Sequence, residues 1–345
     1  MIDRYVEAEP SLPSGALTPA QIKDWRERGF AVVSGLANAA LVAEVAAAAK
    51  QVFPSPGTDA ARDYVGFGSL DRFVFPAGHE GFNALVLEPR ILAAVAALLD
   101  VRIADLRLTQ ADLWPKYGHD GGLDQRIHID YPNHTLTHPT PWDRPEAVEM
   151  IVYLGDWSDT GGATAVVPRE GVEDPAYRWP IVDSPGIGAL DYINDRVAAE
   201  AYFCAQRPHA AAWREALYER ERYVRFRAGD VLLYRHDTWH RGTRMQDGAL
   251  RLALNMTFRK AECEWISTLH TGWAWQLYAR DRTLNRLIAG ASLDQRAVLG
   301  FPQPGSSYWC PETLAAVTAR YGMYGFDPGP YARVLAANGD ADAGD

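Results

Sequence analysis

Thiols are scarce in this sequence: three cysteines in 345 residues, Cys204, Cys263 and Cys310, far apart and odd in number. Such a count excludes a disulfide scaffold and a thiolate zinc site, and it makes a reducing cytoplasm the expected location. Positive charge is also short, with 34 Lys and Arg against 44 Asp and Glu and a formal net charge of −10. No Lys/Arg-rich run offsets that deficit locally, so no nucleic-acid partner is expected. Long apolar runs are missing as well. The longest purely apolar stretch, Ile91–Leu99, falls well short of the roughly 20 residues a membrane span needs. The opening MIDRYVEAEP lacks a basic region followed by an apolar core, so neither a signal peptide nor a membrane partner is expected. Disorder is excluded by composition, since 48% of the residues are apolar and 23% charged.

What is present changes character along the chain. Residues 1–16 read as a loose leader with Pro10, Pro13 and Gly15. Thr18, Pro19 and Gln21 then form a capping box with proline at the first helical position, which predicts a helix through Leu17–Phe30. Ala31–Leu36 reads as a short strand. Asn38 caps an Ala-rich helix running to about Val52, and a third helix is predicted over Pro89–Leu99. From Leu106 onward the pattern becomes short strands between turn residues: Leu106–Trp114, Arg126–Asp130, Ala147–Leu154, Thr164–Val167, Val231–Tyr234 and Leu250–Phe258. That spacing favours an antiparallel sandwich or jelly roll over βαβ units. The expected organisation is one domain over residues 1–345: a helical support over 17–104, a β core over 105–260 interrupted by a helical insertion over about 191–222, and a helical cover over 261–345.

The chemistry sits in RIHIDYPNHT. His128 and Asp130 are two residues apart, so on a strand they share a face, with Cα atoms roughly 6.6 Å apart. His240 follows 110 residues after Asp130, just behind the core run VLLY. Two imidazoles and one carboxylate on one face of an octahedral ion leave three positions open, the facial triad that suits Fe(II). Arg251 comes 11 residues after His240, in LRLALNMTF. Alternation there puts Leu250, Leu252, Leu254, Met256 and Phe258 on one face and Arg251, Ala253, Asn255 and Thr257 on the other. A guanidinium on a polar pocket face is suited to grip a carboxylate, as in a 2-oxo diacid that chelates iron with its other end. The offset to Arg251 selects His240 over its neighbour His236 as the second imidazole. Arg126 shares the face of His128 if that strand is regular, which makes it a candidate for substrate contact. His134, in the Pro-rich loop that also holds His138, Lys116 and Asn255 are further candidates. The aromatic set Trp265, Trp273, Trp275, Tyr308 and Trp309 reads as core.

Taken together these residues resemble the phytanoyl-CoA dioxygenase-like branch of the iron(II)/2-oxoglutarate-dependent oxygenases. LTPAQIKDWRERGFAVVSGL resembles that family's N-terminal helix and strand, His128-Ile129-Asp130 its His-x-Asp, His240 its distal histidine and Arg251 its 2-oxoglutarate arginine. The resemblance implies an α+β fold with a double-stranded β-helix (jelly-roll, cupin-like) core and helices packed on one sheet. It also implies 2-oxoglutarate and O2 as cosubstrates, Fe(II) as cofactor, and hydroxylation of a small organic molecule with release of succinate and CO2. Asp130 occupies the position where related halogenases carry Gly or Ala, which favours hydroxylation. Gln110 and Thr243 are the implied further contacts to 2-oxoglutarate. Two departures stand out: Val167-Pro168-Arg169-Glu170 replaces the family's Pro-Gly-Ser-His turn, and Gly242 stands where relatives often carry Ser. Two other functions are compatible with the metal ligands: a cupin-type isomerase, lyase or dioxygenase that does not use 2-oxoglutarate, and a non-catalytic sensor. Arg251 separates the first of these from the oxygenase. Nothing in the sequence reads on substrate identity or oligomeric state.

Overall fold

Local signals set the first helices where the sequence places them. In the computed structural model, which describes residues 4–64, 73–75, 77–119, 124–135, 137–171, 173–177, 184–263, 282–291, 293, 296 and 301–342, the helix Pro19–Arg28 begins at Thr18. The Thr18 hydroxyl accepts from Gln21 N, and the Gln21 side chain accepts from Thr18 N at 2.9 Å, closing the capping box. Asn38 caps Ala39–Val52 by accepting from Ala40 N and Leu41 N. The first helix ends at Gly29, whose φ of 95° lies in the left-handed region. A Cβ there would also sit 2.6 Å from the Thr238 hydroxyl, so this position needs glycine twice over.

Among the described residues, ten strands form two mixed sheets. The larger has the order β2-β3-β8-β5-β10-β4, comprising Glu9–Pro10, Phe30–Ser34, Val231–Tyr234, Ala147–Tyr153, Leu250–Lys260 and Leu106–Tyr117. The smaller has the order β1-β7-β6-β9, comprising Tyr5–Glu7, Arg222–Arg225, Thr164–Val166 and His240–Gly242. Period-two alternation sorts each long strand of the large sheet into an outer and an inner face. Val33, Val148, Met150, Val152, Leu233, Leu252, Leu254, Met256 and Phe258 pack outward against Val42, Val45, Ala49 and Leu98 of the helices. Inward, Val32, Ile151, Tyr153, Leu232 and Ala253 meet Val166 and Val224 of the small sheet, and Tyr153 stacks on Phe226 with centroids 3.9 Å apart. Apolar alternation on β10 runs as expected from Leu250 to Phe258.

Two expectations are corrected. The leader is not loose: β1 pairs in parallel with β7, β2 in parallel with β3, so both sheets are mixed rather than antiparallel. Tyr5 anchors it, with the Arg225 guanidinium 3.8 Å from its ring centroid and Trp157 edge-on at 5.7 Å. Second, Arg126–Asp130 is not a strand; it carries one isolated bridge, at His128, with another just before it at Gln125. The segment Glu80–Leu99 is long and apolar enough, by length and composition alone, to cross a membrane; it is two helices, Glu80–Val86 and Pro89–Leu99, which pack into the core cluster behind the large sheet.

The insertion after β6 forms the helices Arg196–Gln206 and Pro208–Arg220. Near the C-terminus Thr283–Gly290, Pro311–Tyr321 and Gly329–Asp342 are helical, and Tyr308 and Trp309 join Phe301, Tyr321, Phe326 and Tyr331 in a separate aromatic cluster. Trp265, Trp273 and Trp275 lie outside the described residues.

Candidate metal centre and carboxylate clamp

The site forms beside β9, the edge strand of the small sheet, across the cleft from Lys116 of β4 and Arg251 of β10. His240 opens β9, and its backbone exchanges two hydrogen bonds with His128, at 2.8 and 2.9 Å. That pairing sets the two imidazoles side by side, with ring centroids 4.5 Å apart. Asp130 reaches them by a route other than strand alternation. Its backbone is αR (φ −89°, ψ −12°), and it is the N-cap of the short helix Tyr131–His134. The turn still brings its carboxylate 3.6 Å from His128 Nε2 and 3.2 Å from His240 Nε2. One donor atom from each of the three residues lies within 4.8 Å of the others.

Hydrogen bonding selects which nitrogens face the centre. Each histidine pairs Nδ1 with the carbonyl two residues earlier, Arg126 O for His128 and Thr238 O for His240, both at 3.0 Å. A carbonyl only accepts, so Nδ1 carries the proton and the Nε2 lone pair is left for a cation. Burial, with His240 second, pulls the His128 imidazole down to about 3. Burial works against charge on His240 too, but the Asp130 carboxylate outweighs it and raises that imidazole. Two nitrogens and one carboxylate oxygen, all largely buried, fit a divalent first-row ion.

The opposite wall is cationic. Arg251 on β10 and Lys116 on β4 are Cα partners in register. Burial lowers both, Lys116 strongly and with Arg251 as the second cause. Both reach backbone carbonyls across the cleft: Lys116 Nζ donates to Thr243 O at 2.9 Å, and Arg251 Nη1 donates to Gly162 O. Among the described residues nothing accepts from the buried Arg251 Nε. A buried guanidinium with an unused donor, beside a second cation, is built to receive a carboxylate.

The other candidates separate. Gly242 is shaped by its neighbours: a Cβ there would lie 2.6 Å from Gln125 Oε1 and 2.9 Å from Lys116 Nζ. Gly242→Ser, which restores the residue relatives carry, is therefore expected to displace Lys116 and raise the 2-oxoglutarate KM about ten-fold; steady-state kinetics check it. Thr243 spends its hydroxyl on Ala163 O at 2.8 Å, and Gln110 donates to Asp112 Oδ2 at 2.8 Å, so neither points its polar group at an open position without rearrangement. Asn255 sits half-buried on the inner face, paired with Asp112 and Ile151. Arg126 is buried, donating to Pro185 O at 3.2 Å with Tyr192 5.1 Å away, because the irregular segment turns it toward the insertion. His134 ends the helix Tyr131–His134, and its side chain lies outside the described residues. His236 stacks on Tyr131 at 4.4 Å and is not among the three converging ligands. The Val167–Glu170 departure is absorbed by packing, with Arg169 4.2 Å from the Trp142 ring centroid.

Sequence reasoning missed three inner-face groups. Tyr234, read only as part of a core run, donates to Asp130 Oδ2 at 3.1 Å and steadies that carboxylate. Glu149, its partner across the sheet, accepts from Thr257 and is raised well above the usual range by burial and then by Asp130. Asp112 is raised to about 6 by burial against the Gln110 bond. Alternation signalled which face these residues share, but not what they meet. A carboxyl raised in the fold keeps its proton where the unfolded chain has lost it, so stability falls as pH climbs from about 4 to about 6 and is flat above. Asp112→Asn is expected to stabilise the protein by up to about 3 kcal/mol at pH 7.5 and by almost nothing at pH 4. Urea melts at the two pH values check this.

The profile of the phytanoyl-CoA dioxygenase (PhyH) family matches residues 25–253. This chain belongs to that family. Among curated proteins, none matches it in sequence. Solved structures with a similar fold include the following. EvdO2 from Micromonospora carbonacea var. aurantiaca is 16% identical, with 71% of this chain and 91% of that one covered at a TM-score of 0.49. HygX from Streptomyces hygroscopicus, with iron bound, is 18% identical over 72% and 88% at a TM-score of 0.46. SnoN, the non-heme alpha ketoglutarate dependent epimerase from nogalamycin biosynthesis, is 18% identical over 70% and 82% at a TM-score of 0.44. The PhyH match spans both histidines, Asp130 and Arg251.

Proposed function

We propose that this PhyH-family protein is an Fe(II)- and 2-oxoglutarate-dependent dioxygenase that hydroxylates a small organic molecule and releases succinate and CO2. One observation carries the reading: a two-imidazole, one-carboxylate cluster stands beside a buried guanidinium whose Nε has no acceptor among the described residues. His128, Asp130 and His240 would hold the ion, which when bound supplies the activation of O2 that no side chain can. Arg251 grips the distal carboxylate of 2-oxoglutarate. Lys116, first read as a substrate contact, is assigned to the same carboxylate by its place beside Arg251, which leaves Thr243 and Gln110 as outer supports. Arg126, Asn255 and His134 remain the proposed substrate contacts. Tyr234 holds Asp130 by donating to one of its oxygens.

The finer fold reading is a double-stranded β-helix, supported by the two facing sheets, and the whole of residues 1–345 is taken as one domain. A small-molecule substrate and a cytoplasmic location complete the proposal. A cupin-type enzyme that does not use 2-oxoglutarate would have no need of two buried cations opposite its metal.

The test is anaerobic titration with Fe(II) and then 2-oxoglutarate, followed by a screen of metabolites for stimulated succinate release in air. Saturable 2-oxoglutarate binding that requires the metal, and substrate-stimulated succinate with oxygen incorporated into product, is the expected result. Iron binding without any affinity for 2-oxoglutarate would sink the proposal in favour of the cupin alternative.

A further inference from the structure

Among the described residues, the segment that carries His128 makes one isolated bridge on each side, His128 to His240 and Gln125 to Asp195, and belongs to no ladder on either. On the His240 side, Gln125 N also donates to Gly242 O at 3.0 Å. The other side is closed by the helical insertion. Arg196 N donates to Asp124 O at 2.9 Å and Arg126 N to Asn194 O at 2.8 Å. Ile127, next to the histidine, is held entirely by side chains: its N–H donates to the Tyr218 hydroxyl at 3.0 Å, and its carbonyl accepts from Arg214 Nη2 at 3.1 Å. Glu200 ties these two together, accepting from Tyr218 at 2.7 Å and from Arg214 Nη2 at 2.8 Å. Arg214 is fully buried, its guanidinium 4.5 Å from the centroid of Phe203.

From this arrangement we infer that beyond the Gln125–Asp195 bridge side chains of the insertion stand in for strand pairing at Ile127, and that Arg214 and Tyr218 are positioning residues that set the affinity of the metal centre. The inference rests on the metal reading above. Buried backbone groups must find partners. Without the Tyr218 hydroxyl, Ile127 N–H is left unpaired beside a ligand. A metal-free protein relieves this by letting residues 126–128 shift, but a metal-bound one needs His128 Nε2 in place. The loss therefore falls on the bound state and appears as weakened metal binding rather than only as lower stability.

Co(II) is the probe, read by titration and by its visible absorption. Tyr218→Phe is expected to weaken Co(II) binding about ten-fold and to change the absorption band, and Arg214→Lys to do the same. Combined with Glu200→Gln, Tyr218→Phe should lose less than the product of the two single effects, since all three residues act through one network. Ala210→Gly loosens the same helix without touching Ile127; it should lower Tm and leave the Co(II) Kd unchanged. Equal Co(II) affinity in wild type and Tyr218→Phe would overturn the inference, as would a matching loss in Ala210→Gly. Should the variants fail to fold, hydrogen exchange on the wild type decides: Co(II) must protect 208–220 together with 124–128, and protection confined to 124–128 overturns it. A wild-type protein that binds neither Co(II) nor Fe(II) would sink the metal reading itself, a distinct outcome.

Discussion

His240→Ala is expected to lower Fe(II) affinity by at least about 1,000-fold, some 4 kcal/mol, and to abolish succinate formation. The size of the effect follows from geometry. Asp130 Oδ2 lies 3.2 Å from His240 Nε2, and the backbone of His240 also carries the only strand pairing that the described residues give His128. Truncation removes one of three protein donors while leaving the backbone bridge intact, so the fold is expected to survive. Thermal melts without metal should match wild type within a few degrees, and isothermal titration with Fe(II) under nitrogen should show the loss. Wild-type iron affinity in this variant would mean that another residue completes the site, and His236, four positions earlier, would be the one to replace next.

Arg251→Gln should leave Fe(II) binding intact and raise the 2-oxoglutarate KM by more than about 100-fold, roughly 3 kcal/mol for removing one partner of a buried charge pair. The unused Nε, and the absence of a carboxylate partner among the described residues, argue that this guanidinium awaits an anion from outside the protein. Lys116 remains to give partial binding, so the double variant with Lys116→Met should eliminate it. Steady-state kinetics over a wide 2-oxoglutarate range separate the two. A KM that stays at the wild-type value in Arg251→Gln would move the carboxylate elsewhere and remove the reason for preferring a 2-oxo diacid. The divided readout matters, because a general folding defect would depress iron binding as well.

Much of this was legible from local rules. The Thr18 and Asn38 caps act within one turn, so the sequence alone places those helices. The alternation on β10 is equally local, which is why the sequence alone puts Arg251 and Asn255 on the inner face. Other readings failed where tertiary partners compete with local pattern. Arg126–Asp130 looks like a strand, yet the insertion supplies side-chain partners for Ile127, so the segment needs no ladder, and Arg126 donates to Pro185 O. Tyr5 and its neighbours looked like a leader because an edge strand gains its stability from the sheet it joins and not from its own residues.

By itself the amino-acid order determined the ligand types, their separation along the chain and the charge of the residue opposite them, since those are properties of side chains and of short-range periodicity. Only the folded structure decided that β9 meets residue 128, that Lys116 stands beside Arg251, that Tyr234 holds Asp130, and that Gly242 leaves room for Gln125. Each of those pairs joins positions brought together by sheet register and loop closure, and such contacts carry no signature in the residues that make them.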